Sequence, residues 1–316
     1  MASTTANNQE NANNVARLDN SGVSPDSPSE SLLQTALRRL RKDYLTLAAL
    51  ATLLILGTLA LTAPLIEDAY NVSYTQPDST RQLLPLGSEG HPLGTDNLGR
   101  DMLARLMYAG RVSLGIGIAG AIFSTLVGVS IGLISGYYQG TSVGFIDDLI
   151  MWFVTTLTSI PTLLLLILLT SVLTPDVPTL IGVLTLISWS GTMRLIRGET
   201  ISNRGKEYVL SARAIGANPL RIMFVHILPN TISVLVTAMA IQIGTLILVE
   251  SALSFLGLGV RPPEPSWGNM LTEAQAYFRQ GAHMSILPGV FIVITVLSTY
   301  LIGDGLRDAF DPQSRR

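Results

Sequence analysis

The sequence predicts an all-α polytopic membrane protein with six transmembrane helices and both termini in the cytoplasm, and three observations carry that prediction. Hydrophobic residues make up 48% of the 316 residues and charged ones only 13%, about half the roughly 25% of a soluble globular chain. The charge-free stretches are long, covering 44–66, 112–146, 149–175, 177–193, 222–249 and 280–303. A crossing helix needs about 20 apolar residues, and a central charge costs roughly 2.5–3.5 kcal/mol to insert, so such runs locate the membrane. Basic residues then orient it. With spans near 44–66, 111–135, 149–172, 178–197, 230–255 and 286–304, fourteen of the 20 Lys and Arg fall on one side, at or beside 1–43, 136–148, 198–229 and 305–316. By the positive-inside rule that side is the cytoplasm.

Composition also excludes several chemistries. The chain contains no Cys, which removes disulfides, zinc–thiolate sites and thiol catalysis. His91, His226 and His283 are widely separated, and the net charge of −2 offers no basic patch for nucleic acid.

Taken in order, residues 1–30 are Asn-, Ser- and Thr-rich without hydrophobic periodicity, which predicts a disordered cytoplasmic tail. They lack the basic and apolar regions of a signal peptide. The stretch 32–42 reads as a short basic amphipathic helix lying on the membrane. With the first span and a Pro-, Gly- and Asp-rich external segment it makes up a unit over 31–110. A five-helix core over 111–305 follows, and then a cytoplasmic tail over 306–316. The second span has small residues at every fourth position, Gly120, Ser124, Gly128, Gly132 and Gly136. Such a stripe lets another helix approach closely, within the subunit or at a subunit interface. Pro161 interrupts the third span, where proline removes a ladder hydrogen bond and kinks the helix; the kink either lines a pathway or is structural. The second external loop, 257–285, carries Pro262, Pro263, Pro265 and then Trp267.

The chemistry concentrates in the cytoplasmic loop 207–230, EYVLSARAIGANPLRIMFVHILPN. Residues 207–215 are helix-compatible, and Gly216 stands where a left-handed residue ends a helix. Asn218 is a good N-cap and Pro219 a good first-turn residue. The loop therefore reads as two short helices, the second over 219–228, joined at a glycine corner. The first has only Glu207, Ser211 and Arg213 as polar side chains, whereas a solvated helix shows a broad polar face. It is thus expected to be buried, against a partner or against its own spans.

This loop resembles the EAA motif of ABC-importer permeases: Glu-Ala-Ala, three residues, Gly, nine residues, Ile, one residue, Leu-Pro. Counted from Gly216, the Glu-Ala-Ala slots hold Leu210, Ser211 and Ala212, the Ile slot holds His226, and Leu228-Pro229 match. The acidic residue sits three positions early, at Glu207. Both departures are typical of the dipeptide/oligopeptide branch. Three further stretches are similar to that branch: His91-Pro92-Leu93-Gly94-Thr95-Asp96-Asn97-Leu98-Gly99-Arg100-Asp101, Leu253-Ser254-Phe255-Leu256-Gly257-Leu258-Gly259 and Gly303-Asp304-Gly305-Leu306-Arg307-Asp308. The likeness covers roughly 36–312 and is nearest to the second-permease, "C"-type, subunits of dipeptide, oligopeptide or nickel importers, with a MetI-like transmembrane core.

What the resemblance implies is half of a translocation pathway in the bacterial inner membrane, in a heterodimer with a related permease. One or two cytoplasmic ATPase subunits would drive it, an external binding protein would deliver a di- or oligopeptide, and ATP and Mg would sit on the ATPases. The chain itself has no Gly-x-x-x-x-Gly-Lys-Ser/Thr phosphate loop. ATPase coupling then falls to Glu207, Tyr208, Ser211, Ala212, Arg213, Gly216, Pro219, Leu228 and Pro229. Pathway or gate candidates are Pro161, Gln242 and Glu250, with Ser188 and Trp189 beside them. Glu250 is the carboxylate set in the apolar run 246–256, where ionisable residues are functional candidates by default; capping a neighbouring loop is the competing role. Asp96, Arg100 and Asp101 are candidate binding-protein contacts, or else structural: Asp96 as an N-cap and Asp101 as an i,i+4 partner of Arg105. A nickel or other small-solute importer is the nearest alternative. A secondary transporter would need coupling groups in both repeats, and a membrane enzyme would need a clustered nucleophile–base or metal set; the sequence displays neither.

Overall fold

The computed structural model of the chain describes residues 32–310 apart from Asn71 and Pro175, so the tail expected over 1–30 and the end of the tail expected over 306–316 lie outside the described residues. What is described is helix and loop, with isolated bridges only at Ser88–His91 and Thr95–Asp101. The helices are α1 (Leu32–Leu40), α2 (Tyr44–Leu61), α3 (Ala63–Tyr70), α4 (Met102–Tyr138), α5 (Phe145–Ser159), α6 (Thr162–Val172), α7 (Val177–Arg204), α8 (Glu207–Ala214), α9 (Pro219–Phe255), α10 (Trp267–Ala274) and α11 (His283–Phe310). Five of them, α2, α4, α7, α9 and α11, are long and apolar enough to cross a membrane singly.

The expected third span is not one kinked helix. It breaks into α5 and α6, which meet at 83°. The residue before a proline is pushed out of the α region, and Ile160 (ψ 128) and Pro161 (ψ 123) are both extended. Two consecutive residues therefore leave the helix, which turns a kink into a corner. Contacts at the ends show that the bent pair still makes one crossing. The Arg204 guanidinium at the end of α7 donates to the carbonyl oxygens of Tyr137 (3.1 Å) and Gly136 (3.4 Å) at the end of α4. Those two ends share a side, so the chain between them must cross and return. Arg39 of α1 likewise donates to the Ala309 carbonyl at the end of α11 (3.4 Å). Both described ends therefore lie on one side, which requires an even number of crossings.

Observed boundaries exceed the expected ones because hydrophobicity does not mark where a helix stops. At 37 residues α4 is about 55 Å long, against a hydrocarbon core of about 30 Å. It begins at Met102 rather than 111, since Asp101 caps it by accepting from the Ala104 N–H (2.8 Å), and it thereby runs across the boundary expected at 110. α7 continues past 197 to Arg204. Its charge is neutralised there: the Arg197 guanidinium makes a two-pronged pair with Asp147 (2.7 and 2.8 Å). α1 is not a free surface helix. It packs on the end of α11 with Ala36 buried.

α4 packs along α7 over the glycine stripe. A Cβ on Gly128 would lie 2.8 Å from the Trp189 carbonyl oxygen, one on Gly132 2.7 Å from that of Met193, and one on Gly136 2.6 Å from that of Arg197. The stripe thus serves packing inside the subunit. Its uppermost member meets α9 instead, where Gly120 faces Leu246. Backbone this close cannot yield to a side chain, and overpacking costs typically 1–3 kcal/mol. Gly132→Leu is expected to lower the melting temperature in detergent by several degrees and to cut membrane abundance. Gly115→Leu, with no atom within 4 Å of its would-be Cβ, serves as control. Equal stability of the two variants would refute the packing role.

Candidate coupling loop and transport pathway

α8 ends at a Schellman corner. Its cap is Ile215, and Gly216 takes φ +83°. The Gly216 N–H donates to the Arg213 carbonyl and the Ala217 N–H to that of Ala212, both at 3.0 Å, the paired closure that defines the motif. Asn218 then caps the next helix by accepting from the Arg221 N–H (2.7 Å). The second expected helix is not separate. After Pro219–Arg221 the ladder changes to i→i−5 over Ile222–Ile227 and continues into the fifth span. Pro229 lacks an N–H and would break a plain α ladder. The π stretch precedes it, and the Asn230 amide donates to the His226 carbonyl (2.7 Å), so Leu228 and Pro229 lie inside a continuous helix.

α8 is half buried rather than buried all round. Val209 packs inward with Tyr137, Ile196, Ile222, Met223 and Ile227, and Ala212 is buried as well. The Tyr208 hydroxyl donates to Asn203 Oδ1 (2.9 Å), and burial pushes its phenol above the usual range. Glu207, Ser211 and Arg213 are exposed. So are apolar residues of the loop, with Ile215 at 87% and Leu220 at 62%. Own-span packing and an unpartnered outer face therefore coexist.

Between α6, α7 and α9 lies a cavity of about 490 Å³, lined by Ser188, Gly191, Thr192, Gln242, Thr245 and their apolar neighbours. Towards the cytoplasm a second of about 600 Å³ adjoins it, lined by Ser233, Thr237 and Arg307 and sharing Leu195, Ala238 and Ile241 with the first. Gln242 spans three helices: its amide donates to Ser124 Oγ (2.7 Å), and its carbonyl accepts from Thr192 Oγ1 (3.0 Å). Pro161 sits exposed at the α5–α6 corner. Trp189 is buried and stacks on Phe153 at 6.4 Å, outside the cavity lining. Glu250 also lies outside it. Fully buried, it accepts from Ser254 Oγ (2.7 Å) and Ser113 Oγ (3.2 Å), while Ser113 Oγ accepts from the Trp267 N–H (3.2 Å). That network ties α4, α9 and α10 together.

The external cluster is more buried than its sequence suggested. Asp96, Arg100, Asp101 and Arg105 expose 7% or less. Asp96 caps no helix; its carboxylate closes a turn by accepting from the Leu98 and Arg100 N–H groups (2.8 and 2.9 Å) and pairs with both arginines. Asp101 does not pair with Arg105. As N-cap its backbone is extended (ψ 126), which aims the carboxylate at the helix terminus and at His91 Nδ1 (2.7 Å) rather than along the helix. Arg105 and Arg100 instead each reach Glu273 at 2.7 Å. Glu273 lies in α10, and no local spacing announces it.

Comparison with known proteins agrees with this architecture. Residues 128–316 match the family model described as binding-protein-dependent transport system inner membrane component. Residues 31–85 match the N-terminal transmembrane domain of oligopeptide transport permease C. A dipeptide transport system permease protein of Bacillus subtilis is 37% identical over 92% of this chain and 88% of its own length. An oligopeptide transport system permease protein of Haemophilus influenzae is 35% identical over 98% and 97%, and a glutathione transport system permease protein of Pectobacterium atrosepticum 38% over 72% and 74%. Among solved structures, an inward-facing MetNI methionine ABC transporter chain is 20% identical with a TM-score of 0.54, over 63% of this chain and 93% of that one; it shares the fold.

Proposed function

This chain belongs to the family of inner membrane components of binding-protein-dependent transport systems, and on that premise we propose that it forms half of the translocation pathway of an ATP-driven importer of short peptides. Relatives named for dipeptide, oligopeptide and glutathione transport share one substrate chemistry, the peptide. The observation that carries the reading is the loop at α8. A Schellman corner presents exposed Ile215 and Leu220 on the cytoplasmic face of a six-crossing subunit. Unpaired apolar area there calls for a protein partner, and the family supplies an ATPase for it.

In this reading Glu207, Tyr208, Ser211, Ala212, Arg213, Gly216, Pro219, Leu228 and Pro229 form the coupling segment within 205–229. Val209 and Ala212 anchor it, and the outer face enters a groove on the ATPase. A second, related permease closes the cavities of α6, α7 and α9 into a channel, and Gln242 lines it with Ser188 and Thr192. Pro161 bends the bordering span. Glu250 fixes the external end of α9 as a gate post. The buried salt-bridge cluster of Asp96, Arg100 and Asp101 shapes the external surface that meets the binding protein, without exposing those charges.

The test is reconstitution with the second permease, the ATPases and the binding protein in vesicles. Ligand retained by the binding protein is identified by mass spectrometry, and substrate-stimulated ATP hydrolysis is measured. Di- or oligopeptides are expected to be bound and to stimulate hydrolysis; stimulation by nickel alone would replace the peptide reading. The purified chain without partners is expected to hydrolyse no ATP, and persistent hydrolysis would refute the division of labour.

A further inference from the structure

Against the coupling segment, with its Arg213 and Pro219 in the wall, lies a cavity whose opposite wall, the turn joining α4 to α5, has no role above. It measures about 550 Å³ and sits between α8 and the turn joining α4 to α5, with Tyr137, Tyr138, Thr141, Ser142, Arg204 and Arg213 in its wall. Its floor is fixed. Arg204 donates to the Tyr137 carbonyl (3.1 Å), to the Gln139 carbonyl and to Gln139 Oε1 (3.1 Å), so that guanidinium is committed to the end of α4. Arg213 is not. Its guanidinium lies 5.7 Å over the Tyr137 ring and pairs with no carboxylate among the described residues. Nor do the Tyr138 and Ser142 hydroxyls have a protein partner there. An arginine held over an aromatic face keeps its charge and its outward N–H groups available.

We infer that this cavity receives a carboxylate side chain from the surface of the partner ATPase, so that docking engages the α4–α5 turn as well as α8. The inference rests on the proposed ATPase contact and extends it to a second chain segment. Charge selects the occupant: the segment 204–221 carries Arg204, Lys206, Arg213 and Arg221 against Glu207 alone. Asp147 beyond the opposite turn is taken up by Arg197, with Asp148 beside it, and an arginine with nearby hydroxyls is built to bind an oxyanion. Position selects the source, since the α8 residues Leu210 and Arg213 form one wall of the cavity while the same helix carries the proposed docking face.

The experiment uses the assembled transporter and a carbodiimide, which joins an amine to a carboxylate in direct contact. The chain has only Lys42 and Lys206 of its own, so a lysine placed at Ser142 or at Ser211 stands out on a low background. With Ser142→Lys, an amide between position 142 and an ATPase Asp or Glu is expected in the peptide map. If Ser211→Lys joins the ATPase and Ser142→Lys does not, the inference falls and the coupling reading stands; if neither joins, both fall. Retention of an anionic phospholipid at position 142, without an ATPase peptide, likewise overturns the inference. Should Ser142→Lys fail to assemble, ATPase affinity decides. Ser142→Glu, outside the coupling segment, is expected to weaken binding at least about threefold, and an unchanged affinity for it overturns the inference while the coupling reading stands. Arg213→Glu is expected to weaken binding at least about tenfold and Arg213→Lys by less than about threefold. Unchanged affinity on charge reversal overturns the proposal.

Discussion

Gly216→Trp is expected to leave the protein inserted and the complex able to assemble, yet to reduce substrate-stimulated ATP hydrolysis about tenfold or more. Gly216 holds φ +83°, and a Cβ built there meets nothing within 4 Å. The strain therefore lies in the backbone and not in crowding within this chain. A left-handed residue other than glycine costs roughly 1–2 kcal/mol, enough to open the corner and swing α8 off its seat on Val209 and Ala212. A series separates the causes. Gly216→Asn, which tolerates the left-handed region best, is expected to lose least, Gly216→Ala more and Gly216→Trp most. Should Gly216→Ala match the unmodified protein while Gly216→Trp is dead, bulk against the partner is the cause instead. Full stimulation of Gly216→Trp would remove the corner from the mechanism.

Asp96→Ala is expected to carry the largest stability loss in the external segment. Two arginines, Arg100 and Arg105, face two carboxylates, Asp96 and Glu273, in a site where the Asp96 and Arg105 side chains expose 1% and 3%. Removing one partner of a buried pair costs about 3–5 kcal/mol, because a charge is left without compensation. Here the remaining Glu273 side chain is 23% exposed and holds both guanidinium groups less well. Asp96 also closes the turn into Arg100 by two backbone hydrogen bonds. Asp96→Asn, which keeps acceptor geometry but not charge, is expected to recover part of the loss. Thermal melting of the purified complex reads the effect; an unchanged midpoint for Asp96→Ala would mean that Glu273 alone suffices.

These residues also show how far sequence reasoning reaches. The spans were legible because apolar runs and basic flanks are physical necessities in a bilayer, and the corner was legible because Gly216, Asn218 and Pro219 each have a local backbone reason to be where they are. Arg105 marks the limit. Local spacing offered Asp101, but capping turns that carboxylate away; Arg105 pairs instead with Asp96, nine residues back, and with Glu273 from a helix 168 residues along the chain. The same holds for α5–α6, where Pro161 announced a disturbance but not its 83° size. It holds for Pro229 as well, whose missing N–H was absorbed by a change of ladder that no residue pattern advertises.

The unbroken path of α9 has a mechanical consequence. From Pro219 to Glu250 the helix is a shaft about 46 Å long, unbroken from the cytoplasmic loop to its far end. A tilt of about 5° at the cytoplasmic end displaces the far end by about 4 Å over that length. The far end is bonded from Glu250 through Ser113 of α4 to the Trp267 N–H at the start of α10. Along that shaft the ladder runs i→i−5 over the six residues Ile222–Ile227 without interrupting the helix. In the coupling proposed above, a stroke at the cytoplasmic loop would reach the outer side as this rigid-body tilt.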